Sequence, residues 1–483
     1  MPSRSLPIIS SAPPELSYAA VRKRLAVPEA FPAEVEAAAA AAAQAVRPGT
    51  DDRRGIPLVT IDPPGSTDLD QALCIERRGS GFRIWYAIAD MASFVPSAGP
   101  VDAEARRRGE TLYCPDTRTT LHPTVLSEGA ASLLPGQDRP AALWRIDLDG
   151  SGAITGVDVR RAAVRSIAQL DYVGVQRGID ADSAHPSIAD LLAVGEVLAA
   201  QARSRHAVEL DVAEQEVEKG PDGAWTLKFR RTLPVEKANA QISLLTGRCA
   251  ADLMLQAKIG IVRTVPEPGE RQVDALRRIA HSLRIDWPDG AAVGDVVSAV
   301  DAGSGPHDAF LAAALHLMRG ADYTSFDGTA PSDAVHAGVG APYAHVTAPL
   351  RRLADRFGSE VCLAVSGGAT PPDWVRAALP ELPRLMAESA HRAGELDHAV
   401  LDLTEAWLLH GRIGERFTAV VLEAGDHTVD GNGADGQHPS TIAVAEPAVR
   451  ARCDGDGLQA GQEISVVLKT ADIEKPEVRF ALS

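Results

Sequence analysis

Between Thr60 and Ala72 the chain reads TIDPPGSTDLDQA, which sets Asp62, Asp68 and Asp70 within nine residues. Carboxylates this close repel one another and raise each other's pKa, so a fold keeps them ionised together only by placing cations or hydrogen-bond donors among them. Oxygen ligands with no histidine or cysteine beside them suit a hard ion, Mg²⁺ or Mn²⁺, which takes one or two protein carboxylates and completes its shell with water and substrate phosphate. The chemistry implied is phosphoester cleavage. An Asp-rich turn solvated at the surface fits the same spacing, because Asp, Pro, Gly and Ser are turn formers.

The elements that must position these groups can be read around them. Ile56 to Ile61 is a short apolar strand, and Pro63, Pro64 and Gly65 forbid a helix after it. Asp68, Leu69 and Asp70 then run extended, with both aspartates on one face and Leu69 turned inward. Gln71 to Arg77 with Phe82 to Ala89, and Leu143 to Leu148 with Ala153 to Val159, flank Gly-rich turns as hairpins. Apolar periodicity predicts helices over Ile188 to Arg203, Val235 to Val262, Glu270 to Arg284, His307 to Arg319, Pro349 to Val365 and Trp374 to Leu409. Two helical pieces, Ser17 to Leu25 and the alanine-rich Ala33 to Val46, precede this body. After Gly414 come five short strands, Arg416 to Glu423, Thr441 to Ala445, Val449 to Arg452, Glu463 to Leu468 and Val478 to Leu482, the pattern of a small OB-type barrel. The expected fold class is α+β: a helical module over residues 1–50, a large mixed body over 51–411 and a C-terminal OB-type β-barrel over 412–483.

A hydrophobic fraction of 45% and a charged fraction of 23% are those of an ordinary globular chain. No apolar run reaches the roughly 20 residues that span a bilayer, and the N-terminus lacks the apolar core of a signal peptide, so a cytoplasmic protein without membrane attachment is expected. Cys74, Cys114, Cys249, Cys362 and Cys453 stand singly, as reduced core thiols would. A net charge of -17 argues against a general nucleic-acid coat, although arginines cluster at 106–108, 160–161, 230–231 and 351–352.

Gly431 to Gly436, GNGADG, satisfies GxGxxG but lacks the strand and helix that a dinucleotide site needs, and reads as a barrel loop. There is no Walker A, HExxH or GxSxG sequence, and the DLDG at Asp147 and DGDG at Asp454 lack a calcium loop's spaced ligands. His336 and His345 have no companions at metal spacing, so hydrogen bonding is the simpler role.

Three further stretches narrow the reading: IADMASFV from Ile88, VDAEARRRGETLYCP from Val101 and LHPTVLSEGAASLLP from Leu121. With the aspartate loop and YAHVTAPLRRLAD from Tyr343, they follow the order of motifs in the RNase II family, the RNB exoribonucleases, which the chain resembles from about Asp51 to Val365. The resemblance implies a Mg²⁺-dependent (or Mn²⁺-dependent) hydrolase that takes single-stranded RNA 3′ end first and releases 5′-nucleoside monophosphates. By the same resemblance Asp62, Asp68 and Asp70 hold metal, and Asp70 also orients the attacking water. Arg351 clamps the scissile phosphate, Arg352 lies with it on the substrate, and Tyr113 stacks on a base near the 3′ end. Gln71 stands where the family has a fourth acidic residue, and it brings no charge, so a catalytically weakened RNA-binding protein of the same fold is the alternative. Glu236 and Gln241 lie near the place of a further family glutamate. Only about 50 residues precede the body, where the family carries cold-shock barrels; RNA capture then falls to the C-terminal barrel, and the chain is expected to act as a monomer.

Overall fold

The strands that follow and precede the acidic loop are buried on both faces, and their residues alternate between two apolar clusters. Val59, Ile61, Leu73, Ile75, Tyr86, Ile88, Ala142 and Trp144 belong to one, while Leu58, Ala72, Cys74, Ala87, Ala89, Ala141 and Leu143 belong to the other. That period of two is the strand's own geometry, with both sides covered. The structure, a computed structural model, describes residues 16–483 apart from 50, 221–222, 302, 426, 430–434 and 438. In it the strands Leu58–Asp62, Gln71–Arg78, Gly81–Ala89, Asp138–Leu148 and Ile154–Asp171 close into a barrel. Neighbours are antiparallel except at the closure, where the first strand lies parallel to the last and Asp62 pairs with Asp171. Gly79 makes the tight turn between the second and third strands with φ of 60°, a left-handed value that glycine adopts without strain.

Two helices pack into the first cluster, Pro234–Ala257 and Leu353–Ser366, the latter buried along its first ten residues. The expected helix over Val235 to Val262 ends early. Lys258 turns left-handed, and Ile259–Thr264 pairs as a strand with Asp322–Asp327, because the branched residues of that run fit a pleat better than a helix. The expected helix from Pro349 begins only at Leu353, leaving Pro349 to Arg352 as a loop. Trp374 to Leu409 divides into Asp373–Ala378 and Leu382–Leu409, with Pro383 opening the second piece. The hairpins not foreseen include Leu112–Cys114 with Thr117–Thr119, and Glu214–Lys219 with Trp225–Arg230.

At the C-terminus Arg416–Glu423, Ser440–Val444, Val449–Asp454, Glu463–Asp472 and Glu477–Leu482 form the expected five-stranded barrel. Its core is continuous with Leu227 of the second hairpin and with Ala406 and Leu409 of the long helix. Gly431 to Ala434 of the GNGADG loop lie outside the described residues. At the other end the helices Ala19–Arg24 and Ala33–Ala45 dock on different parts of the body. Tyr18 and Val21 pack on Leu396 and Val400, whereas Val35 and Ala39 share a cluster with Leu69 and Leu350. Four of the five cysteines are buried and all five are free thiols. Among the described residues no helix is long and apolar enough to cross a membrane.

Candidate active site

Asp62 ends its strand at the barrel closure, and the chain then turns through Pro63, Pro64 and Gly65. Leu69 is fully buried, as extended chain with an inward apolar residue requires. The serine-containing segment from Leu121 clasps this loop: Ser132 Oγ donates to the Thr67 carbonyl at 2.7 Å and accepts from the Leu69 N–H at 3.0 Å. Each aspartate is relieved differently. Asp68 Oδ1 accepts from Arg118 Nη1 at 3.1 Å, and Asp70 accepts from the Leu350 N–H at 2.8 Å and from Arg351 Nε at 3.3 Å. Asp62 Oδ2 is buried with no hydrogen-bond partner. Burial, and after it the neighbouring Asp68, pushes the Asp62 carboxyl up to about 7 against the pull of Arg351. Burial likewise lifts Asp70 to about 7, opposed by Arg351 and the Leu350 N–H.

Arg351 reaches Asp70 from 281 residues away. The loop that carries it is fixed from both sides. Asp355, wholly buried, accepts from the Ala348 N–H at 2.7 Å and binds the Arg352 guanidinium through Nε at 2.5 Å and Nη2 at 2.9 Å. Arg352 is thereby spent on holding the loop in shape, while the Arg351 side chain remains 49% exposed and can turn to a substrate. Beneath the loop, Gly247 in the middle of its helix accepts from the Ala344 N–H at 3.0 Å, and a Cβ there would stand 2.2 Å from the Tyr343 ring and 2.6 Å from the Ala344 carbonyl.

Gln71 does not face the aspartates with a free carbonyl. Its Oε1 accepts from the Tyr86 hydroxyl and its Nε2 donates to the Thr347 carbonyl at 2.7 Å, so the side chain ties the barrel to the Arg351 loop. Among the described residues no three His, Cys, Asp or Glu side chains converge as a preformed metal cage. Asp68 and Asp70 each face a guanidinium. The donor set still fits a hard divalent ion, which needs only one or two carboxylates, and the orphaned Asp62 oxygen is the atom that a cation would satisfy.

Tyr113 projects from the short hairpin beside the loop. The residue is 46% exposed, and partial burial, with the charge of Asp68 second, pushes its hydroxyl up to about 12. Arg118, directly across the hairpin from Tyr113, was missed by sequence reasoning, since a lone arginine in TRTT carries no signal. Its Nη2 also donates to Thr67 Oγ1 at 2.6 Å and pairs with Glu128 at 2.9 Å. Tyr172 and Asn239 were missed as well. Asn239 Nδ2 donates to the Tyr172 hydroxyl at 3.1 Å, on the side of the site that Asp62 influences. Glu236 and Gln241 turn elsewhere: Glu236 caps its own helix and pairs with Arg230, and Gln241 donates to Glu209 at 2.6 Å. The other arginine clusters are ion-paired, Arg106 to Asp102, Arg107 and Arg108 to Glu104, Arg160 to Asp158, Arg161 to Asp90, Arg230 to Glu236 and Arg231 to Asp308. His345 accepts or donates one hydrogen bond with the Tyr323 hydroxyl at 2.6 Å, the structural role expected of it.

Comparison with known proteins places this geometry among relatives. The RNB domain family model matches residues 50–358, and that of the RNase II-type exonuclease C-terminal S1 domain matches 415–483. The chain is 28% identical over 353 residues to Ribonuclease R of Vibrio cholerae, covering 68% of this chain and 42% of that protein. It is 26% identical over 326 residues to an Arabidopsis thaliana exosome complex exonuclease RRP44 homolog, covering 64% of this chain and 35% of that one. The chain therefore spans well under half the length of these relatives. In fold it is similar to the apo form of Mycoplasma genitalium RNase R, with a TM-score of 0.82 at 19% identity over 96% of this chain and 77% of that one. It is also similar to yeast Ssd1, described as a pseudonuclease, with a TM-score of 0.66 at 14% identity over 91% of this chain and 54% of that one.

Proposed function

We propose, because this chain belongs to the RNB-domain family of ribonucleases, that it is a Mg²⁺-dependent 3′→5′ exoribonuclease degrading single-stranded RNA to 5′-nucleoside monophosphates. What carries the reading is the convergence on one partly buried loop of Asp62, Asp68 and Asp70 with Arg351 from a distant segment and a half-exposed tyrosine alongside. In this reading Asp62 and Asp68 hold the ion, which when bound would polarise the phosphate and lower the barrier to water attack. Asp70, fixed by the Leu350 N–H, accepts a hydrogen bond from the attacking water and keeps Arg351 aimed at the phosphate. Arg351 offsets the charge that develops on the phosphoryl oxygens. Tyr113 stacks on a base near the 3′ end and limits how far the strand enters. Arg352 supports that arrangement through the loop instead of touching RNA. On the same footing we take the body to run over 51–411 and the RNA-binding barrel over 412–483, with the chain acting as a cytoplasmic monomer.

A second reading, an RNA-binding protein of weakened catalysis, is favoured by one observation: Gln71 is committed to Tyr86 and Thr347 and offers no charge to a second ion. Incubating a 3′-end-labelled oligoribonucleotide with the protein and Mg²⁺ separates the two. Release of mononucleotide that disappears in Asp70→Asn supports the nuclease, whereas retention of intact, protein-bound RNA supports the silent binder.

A further inference from the structure

Two strands of three residues each, Leu112–Cys114 and Thr117–Thr119, make the hairpin that presents Tyr113. A two-stranded ribbon this short does not hold an orientation by itself, so something outside it must. Leu112 is buried against Leu396 and Val400, Glu110 and Thr111 bond by backbone to the Arg351–Arg352 loop, and two guanidiniums add to this. At the turn, Asp116 accepts from Arg22 Nη1 of the N-terminal segment at 2.6 Å. Inside the hairpin, Arg118 reaches in the other direction, to Asp68 at 3.1 Å, Thr67 at 2.6 Å and Glu128 at 2.9 Å. Because Tyr113 and Arg118 are directly opposed in the register, their side chains leave the hairpin on the same face. The fork of Arg118 therefore joins the face that bears the aromatic ring to the loop that bears the carboxylates.

We infer that Arg118 is a positioning residue that locks the Tyr113 hairpin to the acidic loop, and so sets the distance between a stacked terminal base and the reacting phosphate. The inference rests on the nuclease reading and deepens it. Burial of the Arg118–Asp68 pair is partial, with side-chain exposures of 32% and 12%, so water screens it in part. Its planar fork, which spans a carboxylate, a hydroxyl and a second carboxylate at once, is what a register device needs. A residue that merely neutralised Asp68 would have no reason to engage Thr67 and Glu128.

The test is a double-mutant cycle of Arg118→Gln and Tyr113→Ala. The first readout is fluorescence of a single-stranded oligoribonucleotide carrying 2-aminopurine at its 3′ end, bound in EDTA so that no hydrolysis intervenes. The second is KM and kcat for the unmodified strand in Mg²⁺, with melting temperature as a control for folding. Arg118→Gln should abolish most of the stacking quench and raise KM on the order of tenfold, as loss of one well-placed aromatic contact would. In the Tyr113→Ala background the same change should add little to either readout. Full quenching in Arg118→Gln, or an equal effect of Arg118→Gln with and without Tyr113, would overturn the positioning role while leaving the nuclease reading intact. A wild-type protein that releases no mononucleotide would instead remove the reading beneath it.

Discussion

Asp62 and Asp70 flank one loop, the first partly and the second fully buried, but the protein treats them differently. Asp70 has a backbone N–H and a guanidinium, whereas an oxygen of Asp62 has nothing. Asp70→Asn can still accept from Leu350 but loses its charge toward Arg351, so mononucleotide release should fall by about a hundredfold or more with RNA affinity nearly unchanged, measured by product chromatography beside filter binding. Gln71→Asp removes the donor to the Thr347 carbonyl and leaves that acceptor without its partner. It should lower stability by about 1–3 kcal/mol in a denaturant titration, whatever it does to activity. The aspartate loop was legible in the sequence because spacing and the Pro-Pro-Gly break fix it locally. Arg118 and the ties of Gln71 were not, since their partners stand 50 and 276 residues away.

Elements were legible where one period ran long, as in the helix from Pro234, and illegible where an apolar run changes state beyond a left-handed residue, as at Lys258. Short strands such as Leu112–Cys114 give too few alternations to be seen. At this scale Gly247 is the point where the central helix and the Arg351 loop touch backbone to side chain. Gly247→Ala should cost about 1–3 kcal/mol by overpacking and reduce turnover more than RNA binding, which a thermal melt and a single-turnover assay would separate. The junction of the long helix, the second hairpin and the C-terminal barrel carries a pH dependence of its own. Glu405, buried on that helix, accepts from Gln215 Nε2 at 2.7 Å and from the Arg450 N–H at 3.0 Å, and burial lifts it to about 7 despite them. A carboxyl raised in the folded state adds stability below its unfolded value of about 4.3 and loses it as pH rises through about 7. Glu405→Gln keeps the acceptor without the charge. It should flatten the fall in melting temperature between about pH 4.5 and 7 and stabilise the protein at pH 8 by on the order of 2 kcal/mol.

Across the whole molecule the expected division into helical N-terminus, body and barrel was legible from texture, but texture says nothing of how the parts share their cores. Val35 lies under the acidic loop's Leu69, and Leu227 and Leu409 lie under the barrel. Removing residues 412–483 should therefore do more than weaken RNA capture. Exposing Leu227 and Leu409 forfeits about 3–6 kcal/mol at about 1.5–3 kcal/mol each, visible as a lowered melting temperature and new binding of an apolar dye.

The reach of Arg351 back to Asp70 also imposes an order in time. A chain emerging from the ribosome presents its acidic loop long before the guanidinium that completes it, and the closing strand Ile154–Asp171 must arrive before Asp62 is seated. A nascent or prematurely terminated fragment thus has Asp70 without its guanidinium, and on the nuclease reading the site is incomplete until most of the chain has been made.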